Sequence, residues 1–140
     1  MSQDFLQIAS YEGPGYAPVI DFEHWRVAQL NFEDGCQVDR IGYFERHNES
    51  DEVFVLQAGR GLLLVCEGAV CAPHNLKVVE LAPGKLYNVP KGVWHACSIS
   101  REGTFLIVEN RNTGKDNSDY SDVTEELRAE MVRQAGGWRN

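Results

Sequence analysis

Long hydrophobic runs are missing from this sequence. No stretch approaches the roughly 20 apolar residues that a membrane helix needs, and the opening MSQDFLQIAS lacks a basic region followed by an apolar core. No membrane span or secretory leader is expected, and the reading places the chain in the cytoplasm. Basic charge is also scarce. Thirteen Lys and Arg against twenty-one Asp and Glu leave a net charge of −8, which opposes contact with nucleic-acid backbones and anionic membranes. Cys36, Cys66, Cys71 and Cys97 form no CxxC pair, and a core of this size needs no disulfide staples, so reduced thiols are expected. Internal repeats, low-complexity tracts and long linkers are absent too. The 140 residues are therefore read as one domain with one site.

What is present is a succession of short strands. Residues 1–24 form an N-terminal arm, irregular around Gly13, Pro14, Gly15 and Pro18, with a brief helical turn expected at Asp4 to Ile8. Trp25 to Phe32 and Arg40 to Phe44 alternate apolar with polar residues, as half-buried strands do, and Glu33-Asp34-Gly35 supplies the turn between them. Glu52 to Leu56, the turn at Gly59 to Gly61 and the apolar run Gly61 to Cys66 read as a central hairpin. Strands are then expected at Val78 to Leu81, Lys85 to Val89, His95 to Ser100 and Thr104 to Glu109, which completes an antiparallel sandwich or barrel over residues 25–110. The polar 110–120 stretch reads as a loop or lid. Val123, Leu127, Met131 and Ala135 recur every fourth residue, predicting a helix over 122–135 capped by Asp122, with Glu125 at the capping-box position and Gly136-Gly137 at its end. This helix is expected to pack outside the barrel or on a second subunit.

Two blocks carry the chemistry. The first runs from Glu45-Arg46-His47 to Glu52 and Gly59; the second runs from Gly84 through Pro90 and Gly92 to His95. In spacing and order these blocks resemble the two motifs of the cupin superfamily, and the resemblance covers roughly residues 40–110. His47, Glu52 and Gly59 match the second histidine, glutamate and glycine of the first motif. Glu45 stands where that motif has its first histidine, Asp39 where it has an upstream glycine, and Ile99 where the second motif has a trailing asparagine. The resemblance implies an all-β, cupin-type antiparallel β-barrel (a double-stranded β-helix, or jelly roll) with metal ligands inside it.

Elementary geometry supports that grouping. Glu45 and His47 alternate on one strand and so share a face, and Glu52 and His95 can join them from other strands. Two imidazoles and two carboxylates suit Zn, Mn, Fe or Ni, and nothing in the set selects one of these. The candidate metal ligands are His47, Glu52, His95 and Glu45, and the candidate catalytic groups are Glu45 and Tyr43, which shares the same face. Cys97 is expected to be core. Tyr87, Trp94 and Glu109 are weaker candidates, Glu49 and Asp51 belong to a turn, and His24 and His74 are expected on the surface. The resulting expectation is a metal-dependent isomerase, lyase or dioxygenase acting on a small sugar- or carboxylate-like substrate. The alternative is a metal-free ligand-binding cupin. The arm and the terminal helix suggest a homodimer.

Overall fold

The structure, a computed structural model, describes residues 5–138. Its strands are β1 (Gly15–Phe22), β2 (Trp25–Asn31), β3 (Tyr43–His47), β4 (Glu52–Ala58), β5 (Gly61–Cys66), β6 (Leu76–Glu80), β7 (Leu86–Val89), β8 (Trp94–Ile99), β9 (Thr104–Asn110) and β10 (Ser118–Asp122), followed by helix α1 (Glu125–Ala135). They form two five-stranded antiparallel sheets in the orders β1-β2-β9-β4-β7 and β10-β3-β8-β5-β6. The sheets face one another, giving an all-β jelly roll.

Two apolar clusters explain the sequence patterns. Between the sheets lie Phe54, Leu56, Leu63, Ile99, Phe105 and Ile107; beneath α1, Phe44, Leu62, Leu64 and Trp94 pack against its Leu127 and Met131. Strand β5 is buried on both faces, Leu63 toward the barrel and Leu62 and Leu64 toward the helix, and for this reason GLLLVC shows no alternation. Strand β3 divides similarly: Phe44 belongs to the outer cluster, which leaves Glu45 and His47 on the inner face. Helix α1 packs outside the barrel against β6 and the turn at Val38–Arg40.

Several expectations require correction. The arm is strand from Gly15 onward, because Pro18 sits on an edge strand beside a bulge, where a missing N–H costs no ladder bond. Residues 6–12 take no regular structure, so there is no helical turn there; Asp4 lies outside the described residues. The Glu33–Gly35 turn is replaced by short 3₁₀ turns at Asp34–Cys36 and Val38–Arg40, which moves β3 to Tyr43–His47. Strands β4 and β5 are not a hairpin. They belong to different sheets, and Gly59, at φ +67, carries the chain across with room for no Cβ, since one would lie 2.6 Å from the Gly103 backbone. Within the 110–120 stretch, Ser118 onward pairs with β3 as β10. That pairing keeps Asp122 extended, so Thr124, not Asp122, caps α1 by accepting the Leu127 N–H at 3.1 Å. Finally, the structure joins Cys66 to Cys71 in a disulfide, as the short 67–70 loop returns the chain to within 5.2 Å between Cα atoms.

Candidate metal centre

The four sequence-predicted ligands meet inside the barrel. Glu45 and His47 come from β3, Glu52 from the start of β4 on the opposite sheet, and His95 from β8. One ligand atom from each lies within 4.8 Å of all the others. The hub is Glu52 Oε1, which accepts from His47 Nε2 and from His95 Nε2, each at 2.9 Å. Glu45 Oε1 lies 3.1 Å from the same His47 nitrogen.

The outer nitrogens are anchored as well. His95 Nδ1 donates to the Val93 carbonyl at 3.0 Å, and His47 Nδ1 meets the Ser118 hydroxyl at 2.8 Å. Backbone and β10 thus turn both Nε2 atoms inward, the arrangement by which metal-binding imidazoles are oriented. Each ring is held against acceptors, which favour its protonated form when no metal competes. Burial opposes that charge in both, but hydrogen bonds donated to Glu45 and Glu52 raise the His47 pKa to about 10, and the bond to Glu52 raises that of His95. Burial likewise favours the neutral acid at Glu52, but the bonds from His47 and His95 outweigh it and hold that carboxyl at about 2.

Above the cluster lies a cavity of about 590 Å³, walled by Leu30, Phe54 and Ile107, with Arg40, Tyr43 and Lys115 also on its lining. Tyr43 lines this cavity but is half exposed, packed edge-on against Tyr120 with centroids 5.4 Å apart. It stands at the rim, not deep beside Glu45. Cys97 also lines the cavity, and burial pushes its thiol well up, so it is a protonated, core-like group.

The remaining candidates have structural roles. Tyr87 Oη accepts the Ala82 N–H, Trp94 packs in the outer cluster under the Arg46 guanidinium, and Asp51 accepts the Lys91 N–H. His24 and His74 are exposed. Sequence reasoning passed over Ser118, Tyr16 and Arg26 and underweighted Glu109. Glu109 continues the inward alternation of Phe105 and Ile107 and is buried, with Oε2 bound to Tyr16 and Arg26 and Oε1 4.0 Å from His47 Nε2. Burial and the neighbouring Glu52 charge raise its pKa. That alternation was the legible signal for Glu109; Tyr16 and Arg26 gave none, since their contacts span more than 80 residues.

Two antiparallel sheets rolled over a cavity with this His/Glu cluster have the fold of the cupins. Solved structures agree. A cupin-2 domain protein from Shewanella frigidimarina matches at TM-score 0.50 and 21% identity, over 72% of this chain and 85% of that one. A Streptomyces nucleoside dehydratase, solved with uridine, matches at 0.57 and 11% over 84% and 88%. The QdtA 3,4-ketoisomerase from Thermoanaerobacterium thermosaccharolyticum, in complex with TDP, matches at 0.54 and 16% over 71% and 68%. At these identities the likeness is one of fold. No family model and no curated protein matches the sequence.

Proposed function

We propose that this protein is a divalent-metal-dependent cupin enzyme acting on a small, polar, sugar- or carboxylate-like substrate held in the barrel. The observation that carries the reading is the convergence of His47 Nε2, His95 Nε2, Glu52 Oε1 and a Glu45 oxygen beside a cavity of substrate size. The donor set fits a first-row divalent ion such as Zn, Mn, Fe or Ni: two imidazoles and two carboxylates would neutralise it. A carboxylate as buried as Glu52 needs a cation, and the hydrogen-bonded protons meet that need in the metal-free protein. When bound, such an ion would polarise a substrate oxygen. The chain's own contributions are separate. Ser118 and the Val93 carbonyl orient the imidazoles, Glu45 is open enough to the cavity to exchange a proton there, and Tyr43 offers a phenolic O–H at the rim. Dehydratase and ketoisomerase activities in proteins of the same fold favour a lyase or isomerase reaction.

Elemental mass spectrometry tests this directly. About one equivalent of a transition metal in the purified protein, lost in His47→Ala and His95→Ala variants that keep their fold, is the expected result. A protein that takes up no metal on reconstitution, yet binds small ligands, is instead the metal-free binding cupin. The satisfied His–Glu hydrogen bonds favour this second reading.

A homodimer is also proposed, supported by exposed Phe5, Leu6 and Ile8 on the arm and Leu86 on edge strand β7. Light scattering at the 15.7 kDa of one chain would refute it. Among the described residues no helix is long and apolar enough to cross a membrane. The proposed compartment is the cytoplasm, where the Cys66–Cys71 bridge would be reduced; rapid thiol alkylation in lysed cells checks this by mass.

A further inference from the structure

The carboxylate of Glu109 is bonded on one side only. Arg26 stands directly across from it in the β2–β9 pairing. A purely structural Arg–carboxylate pair is commonly bidentate, with one N–H to each oxygen. Here Arg26 directs both Nη2, at 2.8 Å, and Nε, at 3.3 Å, to the same oxygen, Oε2, and Tyr16 Oη donates to that oxygen too, at 2.5 Å. Oε1 accepts no hydrogen bond among the described residues. It faces the cavity, 4.0 Å from His47 Nε2.

A second polar atom in the same cavity also has no partner. Thr113 is buried and lines the cavity, and its Oγ1 is unbonded while its carbonyl anchors Arg26 at 3.0 Å. Buried polar atoms are seldom left unpaired, so Thr113 Oγ1 marks a place where a ligand completes the bonding, and the second oxygen of Glu109 stands on the same cavity. Arg26 thus locks the carboxylate and fixes the turn that carries Thr113, so both groups are held in place before anything binds.

The charge of the cavity restricts what that ligand can be. Arg26 neutralises Glu109, and a divalent ion would balance Glu45 and Glu52. In the interior an anionic ligand would meet the carboxylates of Glu45, Glu52 and Glu109 and a cationic one the Arg26 guanidinium, while the exposed Arg40 and Lys115 add positive charge elsewhere on the lining. A hydroxyl suits both unpartnered atoms, since it donates to Glu109 Oε1 and can accept from Thr113 Oγ1.

We propose that Glu109 Oε1 and Thr113 Oγ1 are the specificity contacts of the site and select a neutral polyhydroxylated ligand over its acidic and cationic counterparts. This rests on the small-molecule reading of the cavity and deepens it by choosing between sugar-like and carboxylate-like substrates.

The test is calorimetry and saturation-transfer NMR on the purified protein with three matched probe sets: monosaccharides, the corresponding uronic acids and the corresponding amino sugars, all at millimolar concentration. Neutral sugars are expected to bind at least about tenfold more tightly than their charged partners. Glu109→Gln is expected to weaken that binding about tenfold, the usual effect of losing a charged hydrogen-bond acceptor, with metal content unchanged. Should Glu109→Gln fail to fold, Thr113→Val decides the matter. It leaves the Arg26 network intact, should melt no lower than wild type, and is expected to lose several-fold in affinity. Preference for acids or amines, absence of any binding, or wild-type affinity in both variants would overturn the proposal. Metal content, measured on the same samples, separates the two readings: metal-free protein that binds neutral sugars through Glu109 removes the metal and keeps this inference, whereas metal-loaded protein that prefers uronic acids does the reverse.

Discussion

Glu45 on β3 lies directly across from His95 on β8, the one residue pair in register between those strands. This pairing sets a carboxylate beside an imidazole at the cavity, and it joins the two sequence blocks into one site. Glu45 is the most open of the four groups, with about a third of its side chain exposed.

That openness would make Glu45 the weakest of the four proposed metal contacts. Glu45→Gln is expected to retain metal but to bind it about 10- to 100-fold less tightly, the scale seen when a group supporting a metal site is lost. Competition with a chromophoric chelator measures it. Wild-type affinity in the variant would remove Glu45 from the ligand set and leave it an acid or base.

Metal removal should loosen the whole barrel, because the four groups come from three strands in two sheets. At a free metal concentration about 100 times its dissociation constant, binding adds about 2.7 kcal/mol. For a domain of this size, that corresponds to a melting shift on the order of 10 °C. Differential scanning calorimetry with and without chelator reads the shift, and superimposable melts would contradict it.

The metal-free protein should show a pH signature of its own. The pKa of His47 rises on folding from its ordinary 6.5 to about 10, so its contribution is full below pH 6.5 and is lost as pH rises toward 10. Glu52 falls from 4.5 to about 2, so its contribution is present above pH 4.5 and is lost on acidification toward 2. Stability from this cluster therefore peaks between about pH 4.5 and 6.5, with a loss on the order of 3 kcal/mol by pH 10. Urea melts across that range check it, and His47→Gln should flatten the alkaline limb.

Packing against Phe105 supplies a test away from the site. A Cβ on Gly61 would lie 2.4 Å from Phe105 Cζ, and that ring is fully buried edge-on to Phe54. Gly61→Ala is expected to cost about 1–3 kcal/mol, as overpacked core sites do, and a denaturant midpoint equal to wild type would show that the ring can move.

Much of the site was legible because its residues fall in two short blocks that resemble the cupin motifs. His47 and Glu52 are five residues apart, and Glu45 shares the inner face of His47 through the two-residue period of a strand; Gly84, Pro90, Gly92 and His95 mark the second block by turn chemistry. The strand cores from β4 to β9 followed from apolar, β-branched or aromatic runs bounded by turn residues. Tyr16 and Arg26 were not legible, since a tyrosine on an edge strand and an arginine on its neighbour acquire meaning only when β9 lies beside them.

What the sequence determined by itself is the all-β class, the terminal amphipathic helix and the two blocks that carry the four site groups, because each block depends on residues close together in the chain. Only the tertiary structure decided that β4 and β5 part into different sheets, that β1 and β10 extend the sheets at their edges, and that Glu109 keeps a free oxygen in the cavity. These features depend on partners far apart in sequence, and no local preference encodes which distant strand will supply the hydrogen bonds or the countercharge.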